Sequence, residues 1–339
     1  MSFRADLSSY ANKDSVKGKV LMHRNISLDV LKLFMAFMVV GLHAEFLSEY
    51  SSLGSYLSVN GLFRIAVPVF LVINGFYFYP VLARNFQIDW LKRVFVLYVF
   101  WMLFYSYFWF SVPNLSFTVI AKLVRNIVIG YHHLWYLSGM LGAAVLLLIF
   151  KRLSSFLFIS TVLVSATIGI AIQYLGNYHY FESSILDKLF NINWFHRNAL
   201  LFSYPFFCIG YLINKHSIHE RLSLTRAVVI TAIGSILLLF ESSFNFYQKN
   251  REGGFDNYLS LLFLCPFIFI LFAKIDIKGK SKNIALYSSA IFFIHSFILS
   301  MLRKFSDLEP TMLTFSCILF SIVASYFIIE ANKRVRFIL

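Results

Sequence analysis

Charged residues are scarce in this chain of 339 residues, at only 14% against about 25% in an average soluble domain. Apolar residues make up 59%. This composition excludes a soluble enzyme, a disordered protein and a single-pass receptor. Because one bilayer-spanning helix needs about 20 mostly apolar residues, the apolar content suffices for about ten spans. The sequence therefore predicts an all-α, polytopic transmembrane helix bundle without a sizeable soluble domain.

Cysteine is also rare, and the three cysteines stand alone within apolar stretches. Cys208, Cys265 and Cys317 have no spacing typical of a metal site or a disulfide framework, so we expect inert core thiols and no metal. The sequence lacks GxxxxGK[ST], HExxH, GxSxG and GxGxxG patterns in a suitable setting. Nucleotide hydrolysis, zinc proteolysis and the usual serine-esterase mechanism are therefore not indicated.

The net charge of +14 would suit a nucleic-acid-binding protein. The basic residues, however, form short clusters beside apolar runs, which is typical of charges that orient membrane spans. We therefore expect contact with membrane lipid and no nucleic acid. If the N-terminus is cytoplasmic, the cytoplasmic segments carry more than twice as many lysines and arginines as the outer ones. This asymmetry predicts that both termini are cytoplasmic.

Ten apolar segments are predicted to span the membrane. They are residues 28–47, 62–82, 91–112, 132–150, 153–175, 199–214, 225–244, 258–273, 283–302 and 310–330. Residues 116–130 contain Lys122 and Arg125, so we interpret them as an interfacial helix or a re-entrant segment. The predicted organisation is a basic cytoplasmic segment (1–27), a transmembrane domain (28–330) and a cytoplasmic tail (331–339).

Ionisable residues at membrane depth are costly and commonly mark functional sites. The first span contains Lys32 and His43, which are three helical turns apart and share a face about 16 Å long. An imidazole can act as a general base on a hydroxyl group. Both charged residues near the start of this span also have purely structural explanations. The Lys32 side chain could extend to the lipid headgroups. The Asp29 carboxylate could stabilise the N-terminal end of the helix through the helix dipole.

Other spans contribute further candidates near their predicted outer ends. Arg64 lies at the start of the second span and could bind a substrate or an oxyanion, or anchor the helix at the interface. His132, His133 and Trp135 could form an aromatic belt or a sugar-binding mouth. His295 lies near the middle of the ninth span, and Arg197 precedes the sixth.

Five segments in order resemble the acyltransferase 3 family of integral membrane acyltransferases. They are LDVLKLFMAFMVVGLH, RIAVPVFLVINGFYF, YHHLWYLSGM, YPFFCIGYLI and SSAIFFIHSFIL, within residues 25–330. His43 matches the histidine of the family's first-helix motif, and Lys32 stands where the family has arginine. Asn74 replaces the usual serine of the second motif, while Arg64 and His295 match family positions.

The resemblance implies an O-acetyltransferase of the bacterial inner membrane. It would transfer acetyl groups from cytoplasmic acetyl-CoA to a glycan or lipid-linked glycan, such as O-antigen in lipopolysaccharide, at the periplasmic side. The implied general base is His43, with Arg64 or Asn74 stabilising the oxyanion. The expected acyl-CoA phosphate ligands are Lys32, Lys92, Arg93 and Arg152, and the expected acceptor ligands are His133, Trp135, Arg197 and His295.

Two alternatives remain open from the sequence. One is a transporter for a lipid-linked sugar or small solute, with Lys32 and His43 lining its route. The other is an acyltransferase that uses another donor, such as succinyl-CoA. The acceptor sugar and the oligomeric state are not specified by the sequence.

Overall fold

A computed structural model describes residues 24–110, 116–182, 184–249, 251–279 and 282–339. Most of the basic N-terminal segment predicted over residues 1–27 lies outside these ranges, so its predicted role is not addressed. Within the described ranges the fold is helical, apart from an antiparallel pair of two-residue strands. Strand β1 (Arg24–Asn25) pairs with β2 (Lys278–Gly279), which ties the start of the bundle to the loop before the ninth predicted span.

Each of the ten predicted spans contains an α-helix, and the structure adds short helices in the connections. In chain order they are α1 (Ser27–His43), α2 (Ser52–Val59), α3 (Ala66–Ala83), α4 (Gln87–Phe104), α5 (Ser106–Trp109), α6 (Phe117–Ile129), α7 (Trp135–Phe150), α8 (Ser155–Asn177), α9 (Ile185–Phe190), α10 (Asn193–His196), α11 (Tyr204–Lys215), α12 (Ile218–Arg221), α13 (Leu224–Phe246), α14 (Leu259–Lys274), α15 (Asn283–Phe305) and α16 (Pro310–Arg334). Short 3₁₀ turns precede α3 and α7, and a π-turn (Ala199–Ser203) precedes α11.

Six described helical segments are long and apolar enough to cross a membrane. They are Ser52–Ala83, His132–Phe150, Ser155–Asn177, Leu224–Phe246, Asn283–Phe305 and Pro310–Arg334. The other four predicted spans are helical but shorter or more charged: α1 has 17 residues, α11 has 12, α14 has 16, and α4 carries Asp89, Lys92 and Arg93. The protein is therefore a multi-pass helical membrane protein, while ten crossings and the orientation of the termini remain predictions.

The centre of the bundle is the packing of α3 against α11. Two glycines allow it: a Cβ atom at Gly75 would lie 1.8 Å from the carbonyl oxygen of Phe207, and one at Gly210 would lie 2.0 Å from that of Val72. Small residues let two helix backbones approach closely, which is a common way for membrane helices to associate. A second layer joins α1 to α15 and α15 to α16.

The antiparallel helices place the candidate residues at two ends of the bundle. We call the end where α1 finishes the histidine end; α3, α7, α11 and α14 begin there. We call the opposite end, where α1 and α4 begin and α7 finishes, the basic end. In the predicted orientation, these are the outer and the cytoplasmic ends.

The segment predicted as interfacial or re-entrant is the helix α6, and most of its side chains are exposed. Its apolar and charged residues lie on different faces, as in helices that lie along a membrane surface. Asn126 is its only buried side chain, and Lys122 and Arg125 are exposed beside it.

Candidate active site

Four histidines from three parts of the chain meet at the histidine end. The ring centroid of His43 lies 4.5 Å from that of His132 and 5.4 Å from that of His295. The ring of His133 lies 4.8 Å from that of His295. We call these four residues the histidine cluster. It forms because α1 ends, α7 begins and α15 passes at this level, and Arg303 on α15 fixes the end of α1 by donating to the carbonyl oxygen of His43 at 2.9 Å.

Ser296 is the hydrogen-bonding centre of the histidine cluster. Its Oγ lies 2.8 Å from Nδ1 of His133, 3.2 Å from Nδ1 of His132 and 3.2 Å from Nε2 of His295. Nδ1 of His295 lies 2.7 Å from the carbonyl oxygen of Phe292, which can only accept, so this nitrogen carries the proton. In neutral His295, Nε2 must then accept the hydroxyl proton of Ser296.

The tautomers of the other two histidines follow from the same network. A serine hydroxyl has one proton, so once it donates to His295 its oxygen can only accept. His132 and His133 therefore carry their protons on Nδ1 and donate to Ser296, which leaves Nε2 unprotonated in both rings. Nε2 of His133 is buried without a partner among the described residues.

His43 itself is half-buried, with its ring against the cluster. Within the described ranges, neither of its ring nitrogens has a hydrogen-bond partner, so both are open to a ligand. Lys32, at the other end of α1, lies 3.8 Å from the buried carboxylate of Asp29. On the face between Lys32 and His43, Ala36 and Val39 are buried in apolar packing. This face of α1 is therefore closed at these two residues, so it offers no open polar path from Lys32 to His43 there.

Arg64 belongs to an ion cluster that the sequence did not reveal. Its Nη1 donates to Oδ1 of Asp256, its Nη2 donates to Oδ1 of Asn60 at 2.7 Å, and Arg197 donates to Oδ2 of Asp256 at 3.1 Å. We call Arg64, Asp256 and Arg197 the ion cluster. Burial alone would raise the pKa of Asp256, but the charges of Arg197 and Arg64 outweigh it and lower this pKa to about 2. Asp256 is therefore ionised, and the cluster carries one net positive charge.

Asn74 lies apart from the histidine cluster. Its side-chain amide donates to the carbonyl oxygen of Phe70 and to the hydroxyl of Tyr136, both at 2.8 Å. The ring of Tyr136 packs on Phe292, and Phe292 packs on His133. An aromatic layer thus stands between Asn74 and the histidines, and the observed contacts do not bring its amide to His43.

A cavity of about 480 Å³ opens beside the histidine cluster. His132 and Arg197 line it, so it adjoins both clusters, and Trp135 forms part of its wall. The guanidinium carbon of Arg197 lies 4.9 Å from the ring centre of Trp135. Of the expected acceptor ligands, Trp135 and Arg197 thus face this cavity. His133 and His295 are buried behind it, because Ser296 and the aromatic layer enclose them.

The expected phosphate ligands lie at the basic end. Lys92, Arg93 and Arg152 are all exposed there, and Nη2 of Arg93 is 3.5 Å from the carbonyl oxygen of Leu339. Exposed cations of this kind suit the phosphates of an acyl-CoA. Within the described ranges, no group of three or more His, Cys, Asp or Glu side chains has the geometry to hold a metal ion.

Sequence reasoning missed Asp256 and Ser296 as site residues. Asp256 follows a glycine pair in the loop before α14. It stands in a loop that also contains Lys249 and Arg251, and a carboxylate in such a basic loop was the available signal. Ser296 follows His295 directly, but serine is common in apolar helices, and nothing local shows that it faces two other histidines.

Comparison with known families identifies the class of protein. The profile of the family described as "Acyltransferase domain" (Acyl_transf_3) matches residues 25–330. Since this match covers most of the chain, the chain belongs to that family. The resemblance seen in the sequence is thereby confirmed.

Two curated proteins are similar to the chain at a lower level. An amino-acid racemase of Enterococcus faecalis is 23% identical over 319 residues, which are 86% of this chain and 43% of that protein. A serine/alanine racemase of Enterococcus gallinarum is 23% identical over 323 residues, which are 87% of this chain and 44% of that protein. The chain spans a little under half the length of these relatives. No solved structure matches the chain.

Proposed function

We propose that the protein is an O-acetyltransferase that moves an acetyl group from cytoplasmic acetyl-CoA to a hydroxyl of a glycan at the outer face of the bacterial inner membrane. The observation that carries this proposal is the position of His43. Its ring nitrogens are open, and its ring lies tilted against that of His132, which lines the cavity. A hydroxyl bound in the cavity near His132 would be close to a base.

In this mechanism His43 removes the proton of the acceptor hydroxyl as its oxygen bonds to the thioester carbonyl carbon. The carbon–sulfur bond breaks, the proton passes to the departing thiolate, and the products are an acetyl ester and free coenzyme A. General-base help of this kind accelerates reactions by about 10² to 10⁴. The rings of His132 and His295 both contact the His43 ring and would restrict its position.

The oxyanion would be stabilised from the ion cluster rather than by Asn74. Asn74 is engaged with Tyr136 behind the aromatic layer, whereas Arg64 and Arg197 carry one more positive charge than Asp256 balances. Preorganised charges at such a site commonly provide the larger part of a rate enhancement. The charge of Arg64 and Arg197 would be preorganised, because Asp256 holds both guanidinium groups in a fixed position.

The donor is expected to bind at the basic end through Lys92, Arg93 and Arg152, with Lys32 deeper in the bundle. Acetyl-CoA supplies the acetyl group as a reactive thioester. Because Ala36 and Val39 close the face of α1 between Lys32 and His43, the donor arm must either open this packing or follow another route. A succinyl donor would use the same basic residues.

A second candidate function is suggested by the two similar racemases. Both are named for racemisation of amino acids, which is not acyl transfer. The part of them that resembles this chain could therefore handle a small amino acid, and the paired charges of the ion cluster suit a zwitterion. On this candidate, the chain binds or transports a small amino acid such as serine.

The two candidates are separated with inverted membrane vesicles that contain the full-length protein. With [¹⁴C]acetyl-CoA supplied outside, we expect label in the glycan fraction, and we expect His43→Gln to lower its rate by about 10² or more. The control is His216→Gln, an exposed histidine at the basic end. Unlabelled glycan together with His43-dependent serine flux would contradict acetyl transfer and favour the second candidate.

A further inference from the structure

The cavity beside the histidine cluster is lined by positive charge without a balancing carboxylate. Lys122 and Arg125 come from α6 and Arg197 from the loop after α10, and among the described residues that line the cavity none is aspartate or glutamate. A wall with three cations attracts anions and repels cations strongly, because the charges act across a confined space.

The charges of Lys122 and Arg125 remain available to a ligand. Within the described ranges, neither side chain forms a salt bridge, and Arg125 contacts only the amide oxygen of Asn126, at 3.3 Å. Arg197 shares the carboxylate of Asp256 with Arg64, so its charge is only partly balanced.

Much of the rest of the wall is aromatic. Tyr107, Trp109, Trp135 and Trp194 all line the cavity. Aromatic rings bind the apolar faces of sugar rings, and a volume of about 480 Å³ is in the range of small-ligand sites. Cations and aromatic rings together favour a sugar that carries an anionic group over a neutral sugar or a lipid tail.

We propose that the acceptor is an anionic glycan, with a carboxylate or phosphate bound by Lys122 and Arg125 on the sugar unit whose hydroxyl is acetylated or on its neighbour. This inference rests on the proposed function, since it names the substrate class of the same site. The sugar would stack in the aromatic part of the cavity, and its hydroxyl would lie at the edge of the His132 ring, which also contacts the ring of His43. The anion would belong either to the sugar itself or to a sugar phosphate.

The test measures binding in the absence of any acyl donor. The full-length protein is placed in nanodiscs of neutral phosphatidylcholine, and quenching of tryptophan fluorescence is titrated with methyl β-glucoside, methyl β-glucuronide and glucose 1-phosphate. The first two differ only at C6, and the third separates phosphate from carboxylate. We expect at least one anionic sugar to bind about tenfold or more tightly than the glucoside, because charge-assisted hydrogen bonds are the stronger ones.

The variants Lys122→Gln and Arg125→Gln should each reduce this preference, and together they should abolish it. The matched control is Lys188→Gln, which removes an exposed cation of α9 that does not line the cavity and should leave the preference unchanged. Equal affinity for all three sugars, no binding of either anionic sugar, or an unaltered preference in the double variant would overturn the proposal. Anion-selective binding without acetyl transfer would instead refute the enzymatic function and leave the anionic-sugar site standing.

Discussion

The Oγ of Ser296 lies 2.8 Å from Nδ1 of His133 in the interior of the bundle. Because the same hydroxyl also meets His132 and His295, it fixes which nitrogen of each ring carries the proton. Ser296 is thus placed to position the histidine cluster, although it need not touch a substrate itself.

Replacing Ser296 by alanine should lower kcat by about tenfold or more, while KM for the acceptor changes little, because His132 and His133 would lose their defined tautomers. The pH–rate profile should shift, whereas a purely structural change would lower activity equally at all pH values. Ser296→Thr keeps the hydroxyl and should recover part of the rate. The matched control is Ser289→Ala on the same helix, whose hydroxyl contacts only the carbonyl oxygen of Ala285. An unchanged pH profile in Ser296→Ala would contradict the role.

Asp256→Asn should destabilise the protein, because it leaves Arg64 and Arg197 together without the carboxylate that separates them. Removing one partner of a buried ion pair lowers the free energy of unfolding by roughly 3–5 kcal/mol. Because Arg197 is partly exposed, we expect a decrease near the lower limit of this range. We expect a clear drop in the midpoint of thermal unfolding in detergent. Replacing the exposed Asp307, which lies beyond α15, by asparagine provides the control.

The ion cluster also predicts how the stability of the folded protein depends on pH. Since the folded state lowers the pKa of Asp256 to about 2 from a usual value of 3.8, the ionised carboxylate stabilises the fold above about pH 4. This contribution should be lost as the pH falls from about 4 towards 2. Asp256→Asn should therefore show a smaller loss of thermal stability between pH 5 and pH 3 than the unaltered protein. Identical losses would contradict the ion cluster.

Lys92→Gln, Arg93→Gln and Arg152→Gln should raise KM for acetyl-CoA severalfold and leave kcat almost unchanged, because exposed cations would bind the distant phosphates rather than the reacting atoms. The measurement is initial rate against donor concentration in the vesicle assay. Lys333→Gln is a suitable control, since Lys333 is an exposed cation of α16 that pairs with Glu330. A fall in kcat with constant KM would contradict this assignment.

Gly75→Ala should prevent correct assembly of α3 and α11. The added Cβ would lie 1.8 Å from the carbonyl oxygen of Phe207, and backbone cannot move away as a flexible side chain can. We expect much lower yield of monodisperse protein in size-exclusion chromatography. The control Gly54→Ala has its nearest contact with a side-chain atom of Ser51 at 3.2 Å, so it should have a smaller effect. Equal yields from the two variants would show that this contact is not a tight one.

The sequence by itself determined the class of fold, the positions of the helices and the family. Each apolar run is a local property, because a helix in lipid satisfies its own backbone hydrogen bonds. The runs therefore predicted helices at all ten places, and His43 could be chosen from its motif alone. The family match followed from the same local segments, so it too needed no knowledge of their contacts.

The contacts between helices were decided by the tertiary structure. Asp256 joins Arg64 to Arg197, and Ser296 joins His133 to His295, only because distant helices bring these side chains to one level. The closed face of α1 at Ala36 and Val39, and the aromatic layer that separates Asn74 from the histidines, likewise depend on what neighbouring helices contribute. Hydrophobicity places a residue in the membrane, but the packing angles and register of separate helices decide which polar groups meet there.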